Sequence, residues 1–169
     1  MKDKLGLTFG TLIAHFIPGF VMLFSFIFTF IEPNDIKILI FRQSSVMFVV
    51  IPILSLACGL TIDSCRYLLT VIPKFCEQYK TWVTYDISKA NEEDRKYHDW
   101  ITENYFRFHQ FYGNLSLALL FTVILLIQKP GIALGFIIVL SLLTLTTGIS
   151  AVITWVNTIK VLKDRFKED

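Results

Sequence analysis

The sequence has few charged residues, and this shortage excludes several classes of protein. Only 18% of its 169 residues are Asp, Glu, Lys or Arg, whereas soluble domains average about 25%. Hydrophobic residues make up 54% of the chain and include 16 Phe, which is more apolar surface than a soluble domain of this size buries. The composition therefore excludes a soluble enzyme and a disordered chain.

Cysteine is also scarce. The chain has three, Cys58, Cys65 and Cys76, and no two of them form a C-x-x-C pair. An odd number without that spacing excludes a disulfide scaffold and does not indicate a metal site. We expect all three to be reduced, in or beside the membrane on the cytoplasmic side.

Familiar catalytic and ligand-binding motifs are absent as well. The sequence has no G-x-x-x-x-G-K, no G-x-S-x-G and no H-E-x-x-H. His98 and His109 would lie about 16 Å apart along a helix, so they cannot share one metal ion. The longest polar stretch has eight acidic and seven basic residues, so no basic patch for nucleic acid emerges. We therefore expect no enzymatic activity, no cofactor, no metal and no direct nucleic-acid partner.

The sequence instead has four long apolar blocks. They run over residues 7–31, 45–62, 108–126 and 132–156. A helix of about 20 residues rises about 30 Å, which is enough to cross the hydrocarbon core of a bilayer. The blocks predict an all-α fold, an integral membrane four-helix bundle. Lys129-Pro130-Gly131 predicts a tight turn between the last two helices.

Basic residues are distributed unevenly between the connections. Thirteen of the 16 Lys and Arg lie in the N-terminal segment, in the middle connection 63–107 or in the C-terminal tail. The positive-inside rule assigns these three segments to the cytoplasm. We therefore expect a multi-pass protein whose N- and C-termini are both cytoplasmic.

The middle connection is long enough to hold a helical hairpin. The second helix continues past Ile62 with helix-compatible residues, and a new helix begins at Asn91, whose side chain caps a first turn rich in acids. We expect the second and third membrane helices to extend into the cytoplasm. The sequence does not decide the secondary structure of residues 81–90. The sequence therefore predicts four segments: two membrane helices in 1–62, a cytoplasmic hairpin in 63–107, two membrane helices in 108–157 and a basic tail in 158–169.

Charged residues at the membrane entrance follow matching helical spacings. Asp63 and Arg66 share one face of the second helix, and Glu103 and Arg107 share one face of the third. In antiparallel packing, one register brings Asp63 to Arg107 and Arg66 to Glu103. The hypothesis is a crossed ion-pair clasp at the cytoplasmic membrane surface. The alternative is that water and lipid headgroups solvate each charge.

Two further polar residues, His15 and Asn114, lie inside the predicted spans. An ionisable residue in a membrane helix is a functional candidate by default. For His15 we favour a structural role, such as a bond to a neighbouring helix, over a proton relay. Pro18-Gly19 follows in the same span and predicts either a kink or a close helix neighbour.

The last span is rich in small and hydroxyl-bearing residues. Its candidate face consists of Ser141, Thr144, Thr147, Gly148, Ala151 and Thr154. Small residues allow helices to approach closely. Two interpretations stay open: a pore-lining face in an oligomer, or packing inside one subunit with the hydroxyls bonded to their own backbone.

Three stretches carry a resemblance to known proteins. They are H-F-I-P-G-F at 15–20, G-L-T-I-D-S-C-R at 59–66 and N-Y-F-R-F-H-Q-F-Y-G-N at 104–114. With its size and topology, the chain resembles small four-pass bacterial membrane proteins of anti-phage defence, among them the Kiwa membrane subunit and the membrane effectors of CRISPR- or nucleotide-signalling systems. The resemblance rests on size, topology and the general character of the sequence, and no functional residue is assigned from it.

The resemblance implies an oligomeric effector or anchoring subunit of the bacterial inner membrane. Such a protein would perturb or sense the membrane together with a cytosolic partner bound at the hairpin. Its expected partners are therefore the lipid bilayer, further copies of the chain and a cytosolic protein. The alternatives are a housekeeping channel or transporter subunit and, third, an intramembrane lipid enzyme.

Overall fold

The computed structural model describes residues 9–32, 34–35, 44–71, 91–101 and 107–165. Within these ranges the chain forms five helices and no strand. The helices are α1 (Phe9–Phe30), α2 (Ser44–Val71), α3 (Glu92–Ile101), α4 (Arg107–Ile127) and α5 (Leu134–Arg165). The predicted all-α class is confirmed.

Four of the helices are long and apolar enough to cross a membrane. The candidate spans are Leu12–Phe30, Met47–Leu68, Arg107–Ile127 and Leu134–Val161. They confirm the four predicted spans and a multi-pass membrane protein with the helices of a four-helix bundle. With 28 residues in α2 and 32 in α5, these two helices are about 42 and 48 Å long, longer than the hydrocarbon core.

The bundle is organised around α1 and α4. The first helix packs along both α2 and α4, and α4 also packs along α5, whereas α2 and α4 touch over a shorter stretch. The last helix is therefore attached to the rest of the chain mainly through α4. Most of its large hydrophobic side chains are exposed, as expected where lipid covers them.

Two glycines bring α1 and α2 into backbone contact. A Cβ atom on Gly19 would overlap the carbonyl group of Ser55, and a Cβ atom on Gly59 would overlap the carbonyl group of His15. Only glycine fits at either position while the helices stay at this separation. The close neighbour predicted at Pro18-Gly19 is therefore present, and it is α2.

The turn between α4 and α5 forms at the predicted position. The backbone N–H of Lys129 donates to the carbonyl of Leu126 at 3.1 Å, and Gly131 has a φ of 87°, a left-handed conformation that favours glycine. The ammonium group of Lys129 donates to the carbonyl of Phe28 at the end of α1. This bond attaches the turn to the first helix.

The start of α3 is also as predicted. The backbone N–H of Asp94 donates to Oδ1 of Asn91 at 2.8 Å, which confirms Asn91 as the N-cap. Of the predicted hairpin 63–107, the structure describes residues 63–71, 91–101 and 107. The segment 81–90 and Glu103 of the crossed clasp lie outside the described residues.

Candidate functional site

Polar side chains from three helices meet at one end of the bundle. This is the end at which α1 and α4 begin and towards which α2 and α5 run. We call this cluster the polar network and define it as His15, Asp63, Arg66, His109 and Asn114. Its bonds reach the backbone of α5 as well, so the network connects all four membrane helices.

An ion pair within α2 lies at the centre of the polar network. Nη2 of Arg66 donates to Oδ1 of Asp63 at 2.8 Å, and Nε donates to the same oxygen at 3.2 Å. The side chain of Arg66 is 13% exposed and that of Asp63 is 25% exposed. Because the opposite charges are bonded to each other, the pair is electrically neutral where α2 enters the membrane-spanning region.

Arg66 also extends from α2 to α4. Its Nε lies 3.1 Å from Oδ1 of Asn114, and its Nη1 lies 3.3 Å from Nε2 of His109. Gly113 leaves room for this path, because a Cβ atom there would lie only 2.9 Å from Cδ of Arg66. The guanidinium group thus joins its own helix to α4.

Asn114 compensates for the proline in α1. Pro18 has no N–H group, so the carbonyl of Ala14 one turn earlier lacks its helical donor. Nδ2 of Asn114 donates to that carbonyl at 3.3 Å, while Oδ1 accepts from Arg66. The side chain of Asn114 is fully buried, and with both ends of its amide bonded it holds α4 against α1 and α2.

His109 connects the polar network to α5. Its Nδ1 lies 2.9 Å from the carbonyl oxygen of Ala151, which only accepts, so Nδ1 carries the hydrogen. Nε2 is then the acceptor for Arg66. The imidazole ring packs on the indole ring of Trp155 with the ring centroids 4.8 Å apart. One side chain therefore bridges α2, α4 and α5.

His15 lies on the other side of Asp63. Its Nε2 is 3.7 Å from Oδ2 of Asp63, and the residue is buried between α1 and α2. Its backbone carbonyl is the group that faces Gly59. His15 thus lies beside Asp63, at a point where the backbones of α1 and α2 are in contact.

The contacts of the predicted clasp residues differ from the crossed register. Asp63 contacts Arg66 on its own helix and His15 on α1. The side chain of Arg107 lies beside Gly10, where a Cβ atom would be 3.2 Å from Cδ of Arg107. The Asp63–Arg107 and Arg66–Glu103 pairs stay predictions, and Glu103 lies outside the described residues.

Membership of His109 in the polar network was not predicted from the sequence, where this histidine was weighed only as a metal ligand. The available signal is that His109 and Asn114 both interrupt an apolar span. The contact of His109 with Ala151 has no comparable signal, since periodicity does not reveal which helix covers a face.

The small-residue face of α5 lies largely against α4. Ser116 donates to the carbonyl of Thr144 at 3.1 Å, and a Cβ atom on Gly148 would lie 3.2 Å from Oγ of Ser116. Ala151 is buried, whereas Ser141 is exposed. The hydroxyls of the candidate face, on Ser141, Thr144, Thr147 and Thr154, donate to carbonyls of their own helix.

These contacts fit the packing interpretation within one chain. The pore-lining interpretation stays a prediction. Among the residues that the structure describes, no group of three or more His, Cys, Asp or Glu is placed to hold a metal ion. No protein family, curated protein or solved structure matches the chain.

We expect replacement of Asn114 with Leu to reduce the free energy of unfolding by about 1–3 kcal/mol. The substitution leaves the carbonyl of Ala14 without a donor and removes one acceptor of Arg66. Thermal unfolding in detergent measures the loss. Ser64→Ala is the control, because that hydroxyl is exposed and bonded to its own helix, and it should change stability by less than about 0.5 kcal/mol. Equal stabilities of the two variants would contradict the role of Asn114.

Proposed function

We propose that this chain is a non-enzymatic membrane protein that works as a homo-oligomer in the bacterial inner membrane. Its termini and the connection between the second and third spans lie in the cytoplasm, where that connection receives a cytosolic protein partner. The membrane helices perturb the bilayer or sense its state. The resemblance to small four-pass proteins supports a role in anti-phage defence.

The observation that carries the proposal is the exposure of α5. Only 6% of its candidate span is buried within the chain, compared with 28% for the spans of α1 and α4. Lipid covers apolar side chains well, so exposed leucines and valines alone do not require a protein partner. The type of residue on the uncovered sides of α5 is what distinguishes a helix partner from lipid.

Small hydroxyl residues lie beside the face of α5 that packs on α4. Thr146 and Ser150 are four residues apart, so they share one side of the helix. Each of the two comes one residue before a residue of the packing face, Thr147 or Ala151. Thr146 and Ser150 therefore lie about 100° around the helix from that face. A small-x-x-x-small pair lets a second helix approach closely, whereas lipid chains gain nothing from it. A second copy of the chain is therefore proposed to pack against this side of α5.

Replacing Thr146 and Ser150 together with Leu should weaken the oligomer, because the larger side chains prevent close approach of the helices. We expect at least a tenfold increase in the dissociation constant, or about 1.4 kcal/mol, measured by light scattering coupled to size exclusion in detergent. The matched control is Val152→Leu with Val156→Leu. These two residues have the same spacing on the opposite flank of α5 and are 61% and 54% exposed.

A monomeric wild-type protein would contradict the proposal, and so would an oligomer that only the control variant weakens. A membrane-potential dye then tests the activity in bacterial cells that express the chain. The proposal expects depolarisation with the wild type and the control variant and a much smaller effect with the Thr146 and Ser150 variant. Equal depolarisation by all three would separate the activity from oligomerisation.

The second candidate function is a channel or transporter subunit, and the polar network is the observation that favours it. Ionisable residues inside membrane spans often mark ion or proton pathways. Arg66, His109 and Asn114, however, direct their bonding groups at one another and at backbone carbonyls, which supports a structural role. Proton flux in proteoliposomes that Asp63→Asn abolishes would favour this candidate. The third candidate, an intramembrane lipid enzyme, would need residues of the polar network as catalytic groups.

A further inference from the structure

The bonds of His109 fix its protonation state. Nδ1 donates to the carbonyl of Ala151 at 2.9 Å, and Nε2 lies 3.3 Å from Nη1 of Arg66. A guanidinium group donates and never accepts, so Nε2 must offer a lone pair and the ring must be neutral. A proton added at Nε2 would place two donors and two positive charges against each other at this distance.

Arg66 is the charged group that faces His109 most directly. Behind it on α2, Asp63 is bonded to the same guanidinium at 2.8 Å. On α1, His15 lies 3.7 Å from the other oxygen of Asp63. The negative charge is therefore separated from the imidazole ring by Arg66, which contacts both.

The remaining helices contribute mainly uncharged groups to this environment. On α5, the ring of Trp155 and the carbonyl of Ala151 face His109, and the next charged residue, Lys160, is five positions beyond Trp155. On α4 itself, Arg107 precedes His109 by two positions and extends towards Gly10 of α1. His109 is half-buried and lies two residues after the start of α4, at the end of the bundle where the polar network lies.

We propose that His109 is a proton-sensitive latch that holds α4, together with the α5 helix packed on it, to α2. In the neutral state it connects Arg66 of α2 to Ala151 of α5. When Nε2 gains a proton, the bond to Arg66 breaks and the two cations repel each other. The bond from Nδ1 to Ala151 persists and α5 packs mainly on α4, so loss of the bond to Arg66 lets α4 and α5 shift together relative to α2. The latch lies within one chain and does not depend on the proposed oligomer.

Trp155 provides a direct reporter of the latch. An imidazolium ion quenches indole fluorescence more strongly than neutral imidazole does, and the two rings are in contact. The full chain is placed in lipid nanodiscs with Trp82→Phe and Trp100→Phe, which leaves Trp155 as the single emitter. Emission is followed from about pH 8 to about pH 4, which covers the range in which histidine ordinarily titrates and its acid side. We expect one reversible decrease in intensity.

His109→Gln is the decisive comparison. Glutamine can accept from Arg66 and donate to the carbonyl of Ala151, so it retains the closed latch without a titrating group. The decrease in emission should disappear in this variant. The wild type and His109→Gln together therefore decide the proposal.

Movement of α5 needs its own measurement, because a local titration alone would also change the emission of Trp155. Spin labels at Leu68 on α2 and Asn157 on α5, both exposed, report the distance between the helices in a chain whose three cysteines are replaced by Ser. We expect the distance distribution to shift with acid in the wild-type background and to stay constant in His109→Gln. A pH-independent emission, a decrease that persists in His109→Gln, or unchanged distances would each overturn the latch.

Discussion

Replacing Gly59 with Ala is expected to reduce the free energy of unfolding by about 3 kcal/mol or more. The added methyl group would overlap the backbone carbonyl of His15 on α1. A backbone group cannot rotate away as a side chain can, so the two helices must separate. Separation would also pull His15 away from Asp63 and weaken the nearby contact at Gly19. For a chain of this length, the loss corresponds to a decrease of about 6–12 °C in the melting temperature.

The other glycines of the chain provide a graded control for this result. Gly19→Ala should be as damaging as Gly59→Ala, because it meets the backbone of Ser55. Gly113→Ala meets the flexible side chain of Arg66 at 2.9 Å and should have an intermediate effect. Gly135→Ala meets nothing within 4 Å and should be neutral or stabilise α5 by up to about 1 kcal/mol. Similar melting temperatures for Gly59→Ala and Gly135→Ala would show that α1 and α2 do not approach this closely.

The membrane helices could be predicted from the sequence because the requirement for them is local. A span needs only a sufficient length of apolar residues, and the four blocks supply it. The N-cap at Asn91 is equally local, since the acceptor oxygen and the N–H of Asp94 are three residues apart. The tight turn at Gly131 follows from the same short-range logic.

The partners of the charged residues could not be predicted in the same way. The crossed register assumed that α2 and α4 pack face to face over a long stretch. In the structure, α1 packs along both of them and they touch over a shorter distance. Periodicity shows which face Asp63 and Arg66 share, but not that Asn114 and His109 would complete the guanidinium bonds. These bonds depend on the separation of the helices, which Gly19, Gly59 and Gly113 set jointly.

Replacing Arg66 with Leu is expected to reduce the free energy of unfolding by about 3–5 kcal/mol. The change leaves the carboxylate of Asp63 without its cation inside a membrane-spanning helix, and it removes a donor from both Asn114 and His109. Adding Asp63→Asn to this variant should restore part of the loss, with a coupling energy of up to about 3 kcal/mol. Thermal unfolding of the two single variants and the double variant in detergent completes the cycle.

A matched control for Arg66 is Lys96→Leu. Lys96 pairs with Glu92 at 2.7 Å on α3, but both side chains are largely exposed, at 76% and 84%, so the change should be within about 1 kcal/mol. The crossed clasp makes a different prediction, in which Asp63→Arg is rescued by Arg107→Asp. If that exchange restores stability while the Asp63–Arg66 cycle shows no coupling, then Asp63 is held from α4. If only the cycle shows coupling, the ion pair within α2 is the one that stabilises the bundle. Arg66 then links this pair to α4 through its bonds to Asn114 and His109.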